Sequence, residues 1–161
     1  MSGSTPNFEN WLRARGPELA DQLARERNAI CRAVSVRLGR TFPELCDDPT
    51  RPDRESFRRT ALERSPERLH TLLQTALRLQ SLSVIEQEYR WLWGVLPRYG
   101  ITATHMLAMA GWYFSMARER LALDPGDLAG LNELKRAVLR AIRAVANSSC
   151  LDGEFSGDAI E

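Results

Sequence analysis

The sequence predicts a single domain built from six to eight α-helices, with no β-sheet. Apolar residues recur every three or four positions along most of the chain, which is the period of a helix with one buried face. No segment alternates apolar and polar side chains as a half-buried strand does. Helix-capping residues stand directly before prolines at three points, and proline is well tolerated in the first turn of a helix. These pairs are Thr5-Pro6, Ser65-Pro66 and Asp124-Pro125.

Prolines and glycines delimit the helices that we predict in the first half of the chain. Gly16-Pro17 is expected to open a long helix that ends near Arg40. Residues 46–52 are rich in aspartate and proline and form a loop by composition. A short helix over residues 54–62 is expected to follow, and Ser65-Pro66 is expected to begin another helix that ends near Ser81.

Three longer helices are predicted in the second half. The first covers residues 84–96, the second begins at the capping residue Thr102 and ends near residue 121, and the third covers residues 126–147. The second has few polar side chains between residues 103 and 117, so we expect it to be buried on all sides. Residues 1–147 would then form the helical domain, and the acidic residues 148–161 a flexible tail.

The composition excludes several classes of protein. The chain has 22 basic and 21 acidic residues, and its arginines are interleaved with acids, so no basic face for nucleic acid is expected. Its three cysteines form no zinc-ligand or CxxC spacing. The chain does not begin with a signal-peptide pattern, and no apolar run approaches the roughly 20 residues of a membrane span. We therefore expect a cytoplasmic protein that does not contact membranes.

No catalytic or metal-binding motif is present in the sequence. It lacks a Walker loop, GxGxxG, GxSxG and HExxH. Glu67 and His70 have the spacing of one half of a di-metal bundle site, but the second half is missing. No acid, base and nucleophile can be assembled into a set, and we therefore expect a protein that is not an enzyme and holds no metal.

Two histidines and an aromatic cluster are the candidate binding residues. His70 is either a core histidine bonded to a backbone carbonyl or a residue that faces a ligand. His105 lies in the first turn after Thr102, where it either serves the helix cap or contacts a ligand as a neutral imidazole. The segment 89–93 holds Tyr89 and Trp93, and Tyr99 follows it. Such a cluster forms core, a subunit interface or the wall of an apolar pocket.

The stretch that begins with Val84-Ile85-Glu86-Gln87 and runs through Leu96-Pro97-Arg98-Tyr99-Gly100-Ile101-Thr102 resembles a known family. Phycobiliprotein-type globins, and the bilin-biosynthesis-associated globins related to them, have a similar acidic start and a similar glycine turn before their penultimate long helix. The order of the predicted helices is also similar to the globin-like fold. The resemblance implies a globin-like bundle with a tetrapyrrole ligand.

The same resemblance implies how that ligand is held. The helix corresponding to the iron-binding helix of haem globins covers residues 84–96 and has no histidine, so ordinary haem binding is not expected. The helix corresponding to the bilin-attachment helix covers residues 66–81 and has no cysteine, so a biliverdin-like bilin would be held non-covalently. Arg64 and Arg68 are placed to pair with its propionates. The predicted ligand site comprises Arg64, Arg68, His70, Tyr89, Trp93, Tyr99 and His105.

Two other functions remain open at this point. A second relative is the non-haem globin domain of stress-signalling sensor proteins, which acts through dimerisation and protein partners. On that view the protein is a ligand-free module and the aromatic residues form its interface. The third function is haem binding through His70 or His105. A homo-oligomer, in the simplest case a homodimer, is expected.

Overall fold

The structure of the protein, a computed structural model, describes the backbone of residues 6–154 and their side chains except at residues 6, 98–99 and 148–154. Over this range the chain is helical, with no β-strand, as predicted. Five helices of more than ten residues form the fold, and shorter helical turns join them. The helices are α1 (Pro6–Thr41), α2 (Arg54–Arg58), α3 (Ser65–Leu79), α4 (Ser83–Trp93), α5 (Ala103–Arg120) and α6 (Pro125–Glu154). Short 3₁₀ turns lie at Pro43–Leu45 and Leu96–Tyr99, and a π-helical turn lies at Arg59–Arg64.

Pro17 lies inside α1, so the prediction that it opens a helix is wrong. Proline removes one backbone donor from a helix, but here the helix is held on both sides of the proline. Leu12, five residues before Pro17, and Leu19, two residues after it, are both buried. Gly16 lies so close to α3 that a Cβ atom at this position would stand 2.6 Å from the carbonyl oxygen of Leu77. Tertiary packing therefore overrides the local signal of the Gly16-Pro17 pair.

α3 begins at Ser65, as predicted, but no loop precedes it, because α2 continues through the π turn into α3. The backbone N–H of Ser65 donates to the carbonyl of Thr60, five residues earlier, and the Ser65 hydroxyl donates to the same oxygen at 2.9 Å. Pro66, which has no N–H, follows directly after this turn. Because neither proline interrupts the chain, the described residues form five long helices where six to eight were predicted.

The predicted end of α3 and the predicted starts of α4, α5 and α6 are confirmed to within two residues, whereas α4 ends at Trp93, before the predicted residue 96. α3 ends at Gln80, which has a left-handed backbone (φ 53°), and α4 begins at Ser83. Thr102 caps α5 through a capping box with His105. At the start of α6 the carboxylate of Asp124 accepts the N–H of residue 127 at 2.7 Å. Each of these signals is local, since a capping side chain needs only its own following turn.

The helices surround one hydrophobic core. α1 packs against α3, α5 and α6, and α4 packs against α3 and α6. One side of α5 is buried, but Ser115 is exposed and Trp112 and Met116 are half-buried, so α5 is not buried on all sides as predicted. The buried residues of α5 are His105, Met106, Met109, Ala110, Tyr113, Phe114 and Ala117.

Asp127 joins the beginning of α6 to α1. Its side chain is almost fully buried and accepts hydrogen bonds from Trp11 Nε1 at 3.1 Å and from Arg15 Nε and Nη2 at 3.0 and 2.9 Å. These bonds, above all the one from Arg15, lower the pKa of the Asp127 carboxyl. The close approach of the two helices continues at Gly130, where a Cβ atom would stand 2.1 Å from the ring of Trp11.

α6 extends to Glu154, past the boundary at residue 147 that the sequence predicts for it. The rest of the predicted acidic tail, residues 155–161, lies outside the described residues. None of the helices between residues 6 and 154 is both long and apolar enough to span a membrane.

Candidate functional site

A cavity of about 460 Å³, called here the central cavity, lies between two walls. One is the continuous helical path of α2, the π turn and α3 (residues 54–79), called here the α2–α3 rod, and the other is α4 with its following 3₁₀ turn. α5 contributes Met106 and Met109 to it, and α1 contributes Leu38. Its volume falls within the roughly 300–1,000 Å³ that is typical of small-molecule sites. It is the candidate functional site of the protein.

One wall of the central cavity is a single helical stripe. The lining residues of the α2–α3 rod include Ser56, Thr60, Arg64, Arg68 and Leu72, which recur every four positions. The continuous helical path through the π turn allows this stripe to extend across both helices. At about 1.5 Å per residue, the stripe from Ser56 to Leu72 is roughly 24 Å long, which makes the cavity an elongated slot.

The inner part of the central cavity is apolar. Leu69, Leu92, Ile101 and Met106 are buried and line it. Tyr89 also lines it and is only 2% exposed. Burial raises the pKa of its phenol, so the hydroxyl stays protonated at neutral pH.

The charged residues of the lining lie at its solvent-exposed rim. Arg68 Nε forms an ion pair with Glu88 Oε1, and the guanidinium also lies over the ring of Trp91, 4.5 Å from its centroid. Trp91 is 55% exposed. Arg64 lies one helical turn before Arg68, is exposed, and has no ion pair with any side chain that the structure describes.

His105 lines the central cavity and also caps α5. Its Nδ1 accepts the backbone N–H of Thr102 at 3.1 Å, so the proton of the neutral ring is on Nε2. Nε2 therefore donates to Glu44 Oε1 at 3.0 Å, and this hydrogen bond lowers the pKa of the Glu44 carboxyl. The cap that the sequence left as one alternative is present, while contact between His105 and a ligand stays a prediction.

His70 lies outside the central cavity, in the core between α3 and α5. It is fully buried, and the hydroxyl of Tyr113 lies 2.6 Å from its Nδ1. Burial raises the pKa of Tyr113, so the phenol is the donor and Nδ1 the acceptor. His70 Nε2 is buried without a hydrogen-bond partner. The Leu23 carbonyl near the ring raises the pKa of His70 without forming a hydrogen bond of normal geometry to Nε2, but burial, together with the charge of Arg27, outweighs it and lowers the pKa to about 4.

The structure thus brings four of the seven predicted site residues to one cavity: Arg64, Arg68, Tyr89 and His105. Trp93 is half-buried against the core and does not line the cavity. Trp91, three positions after Glu88 on the same side of α4, lines the cavity instead. The side chain of Tyr99 lies outside the described residues.

The sequence analysis did not place Glu44, Asp53, Glu88 or Trp91 in this region. Helical spacing was an available signal for Glu88 and Trp91, because Glu88 lies four positions before Leu92 and three before Trp91. Glu44 had no such signal, since its partner His105 is 61 residues away in the chain.

No protein-family model, curated protein or solved structure matches this chain. The resemblance to bilin-type globins therefore stays a prediction from the sequence pattern. What the chain binds is inferred below from the shape, lining and charges of the central cavity.

Proposed function

We propose that the protein binds a linear, bilin-type tetrapyrrole non-covalently in the central cavity, as a non-enzymatic, globin-like binding protein. The observation that carries this proposal is an elongated apolar cavity whose rim presents two arginines, Arg64 and Arg68, on the same stripe of one helical rod. A linear tetrapyrrole has a long apolar body and two carboxylates, which match these two features.

The shape of the central cavity supports a linear ligand. Its wall is roughly 24 Å long, and the inner surface is formed by aliphatic side chains, two methionines and Tyr89. Methionines adapt their shape to an irregular ligand. Its polar lining residues include Ser56, Thr60, Arg64 and Arg68 along one wall, and polar groups at fixed positions in an apolar cavity orient a ligand.

The arginines support a ligand that carries carboxylates. Guanidinium groups bind carboxylates through two parallel hydrogen bonds, and Arg64 has no acidic partner among the described side chains. One helical turn, about 5.4 Å, separates Arg64 from Arg68, so two acidic groups of one ligand can be bound by the same wall.

The cysteines support non-covalent binding. Cys31 and Cys46, the cysteines whose side chains the structure describes, do not line the central cavity. Cys31 is buried in the core, and burial raises its thiol pKa to about 11. A thiol in that state is a poor nucleophile for attachment to a bilin.

Haem binding through either histidine is less well supported. A haem-ligating histidine offers the lone pair of one ring nitrogen to iron. His105 uses its lone pair at Nδ1 to accept the Thr102 N–H, and its Nε2 carries the proton. His70 does not line the central cavity. Haem binding through His105 therefore requires the hydrogen bond between Thr102 and His105 that caps α5 to break.

The alternative of a ligand-free dimerisation module draws on Trp91, which is 55% exposed at the rim. An exposed tryptophan is a typical centre of a subunit interface. Sedimentation of the wild-type protein and of a Trp91→Ala variant distinguishes this function. A dimer that Trp91→Ala dissociates supports it, and a monomer at high concentration contradicts it.

The proposed function is tested by mixing the purified protein with biliverdin, removing free ligand on a desalting column and recording the visible spectrum. We expect retained ligand with a red-shifted or sharpened band. Arg64→Ala should weaken binding about three- to tenfold, since it removes one charge-assisted pair at a partly exposed site. Arg90→Ala is the matched control, because Arg90 is an exposed arginine of α4 that does not line the cavity. No spectral change together with no retention would contradict the proposal.

A further inference from the structure

Arg68 is held on two sides before any ligand binds. Its Nε contacts Glu88 Oε1 across the rim, and the face of its guanidinium lies 4.5 Å from the centroid of the Trp91 ring. The side chains of Arg68 and Glu88 are 47% and 25% exposed, so both reach water. The guanidinium is thus positioned at the mouth, but its charge is already paired.

The charges of the lining are balanced. Arg64 and Arg68 are opposed by Glu88 and by Asp53, which also lies at the rim. Asp53 is 4.0 Å from Arg51 and is not bonded to Arg68. A carboxylate that enters the cavity therefore meets Arg64, which has no acidic partner among the described side chains, and Arg68, whose acidic partner it must replace.

We propose that Glu88 is a specificity-determining residue that competes with the ligand for Arg68. The ligand's acidic group replaces Glu88 on the guanidinium, while Trp91 keeps the guanidinium in place. Glu88 then turns into water, which its partial exposure permits. Glu88 thereby lowers the affinity of the site for apolar ligands with an acidic group and leaves its affinity for neutral apolar ligands unchanged. This inference rests on the proposed function only in that it uses the same cavity.

The exchange follows from the chemistry of the three side chains. A guanidinium has five N–H donors in a planar fork, so it can donate to a new carboxylate without changing its own orientation. A stacked indole does not compete for those donors, since it contacts the face of the guanidinium. A partly exposed ion pair is weak, so it can be exchanged, and its removal changes affinity by a small factor.

The test uses two fluorescent apolar probes of similar size. One is 8-anilinonaphthalene-1-sulfonate, which is anionic, and the other is N-phenyl-1-naphthylamine, which is neutral. Glu88→Gln leaves the side-chain shape unchanged and frees Arg68. We expect it to tighten binding of the anionic probe about threefold and to leave binding of the neutral probe unchanged.

Asp53→Asn is the matched control, because it removes one negative charge from the same rim without freeing Arg68. Asp53 makes no side-chain hydrogen bond at the start of α2, so the substitution should not disturb the fold. An equal gain in Asp53→Asn and Glu88→Gln would overturn the proposal, because net charge alone would then explain the result. An equal effect on both probes, or no gain for the anion, would overturn it as well.

The outcome separates this inference from the proposed function. If biliverdin does not bind but the anionic probe binds about threefold more tightly to Glu88→Gln alone, the partner exchange stands and the bilin ligand is wrong. If biliverdin binds and Glu88→Gln does not strengthen binding of the anionic probe, the bilin ligand stands and the exchange is wrong.

Discussion

Arg64 and Arg68 lie one helical turn apart on the same wall of the central cavity, but among the side chains that the structure describes only Arg68 is paired with an acid. The difference comes from the opposite wall, where Glu88 lies against Arg68 and Trp91 lies beneath it. The two arginines thus have separate roles in the proposed site. Arg64 is available to an incoming acidic group, and Arg68 becomes available by exchange.

Salt should weaken binding of an acidic ligand through these arginines. We expect the affinity for biliverdin to fall as sodium chloride is raised from about 10 mM to 1 M, because the Debye length shrinks from about 30 to 3 Å. Arg64→Ala should show a shallower salt dependence than the wild-type protein, measured by absorption titration. A wild-type affinity that does not change with salt would show that the arginines take no part in binding.

His70 makes the stability of the protein depend on pH. The pKa of His70 is about 4 in the folded chain and about 6.5 in the unfolded one, so the unfolded chain binds more protons between these values. The contribution of His70 to the free energy of unfolding is full above about pH 6.5. Roughly 3 kcal/mol of it is lost as the pH falls toward 4. Urea unfolding at pH 7 and pH 4.5 measures it.

The control for this pH effect is His70→Gln, which does not titrate. Protonation of carboxylates such as Asp127 also lowers the free energy of unfolding at low pH, because hydrogen bonds lower their pKa in the folded protein. The difference between wild type and His70→Gln isolates the histidine. If both proteins lose the same free energy of unfolding between pH 7 and pH 4.5, the account of His70 is wrong.

Tyr113→Phe should destabilise the fold by about 1–3 kcal/mol. The substitution keeps the ring but removes the hydroxyl that donates to His70 Nδ1, and that nitrogen is then buried without a partner. Tyr89→Phe is a suitable comparison, because Tyr89 is equally buried and has a similar ring. Chemical denaturation of the two variants gives the result. A loss below about 0.5 kcal/mol in Tyr113→Phe would contradict a structural role for this bond.

Two glycines in helix interiors should respond in opposite ways to alanine. Gly130→Ala should destabilise the protein by about 1–3 kcal/mol, because its Cβ atom would stand 2.1 Å from the Trp11 ring. Gly111→Ala should stabilise it by about 0.5–1 kcal/mol, because nothing lies within 4 Å of the added atom and alanine favours the helix. Thermal unfolding of both variants checks the packing of α1 against α6. Equal changes in stability in Gly130→Ala and Gly111→Ala would contradict this packing.

Local signals in the sequence predicted part of the fold. Thr102 and Asp124 cap helices through their own next turn, and their helices begin where the sequence predicts. Pro17 and Pro66 carry an equally strong local signal, but packing of Gly16 on α3 and the π turn before Pro66 keep both helices continuous. Those causes involve contacts and hydrogen bonds that residue order does not reveal.

The site was predictable in part for the same reason. Arg64 and Arg68 lie on one stripe of a helix, and the helical period alone places them together. The pairing of Arg68 with Glu88 joins residues 20 positions apart on two helices and has no local signal. The choice between Trp91 and Trp93 depended on which side of α4 faces the cavity, and that is decided by how α4 packs on its neighbours.

Titration of the protein with biliverdin, followed in the visible spectrum, tests the central claim most directly. Binding in the central cavity predicts a shifted band that saturates at one ligand per chain, and a weaker affinity in Arg64→Ala than in Arg90→Ala. A spectrum that remains that of free biliverdin at every ratio, with no end point, would contradict the claim that this cavity is a bilin site.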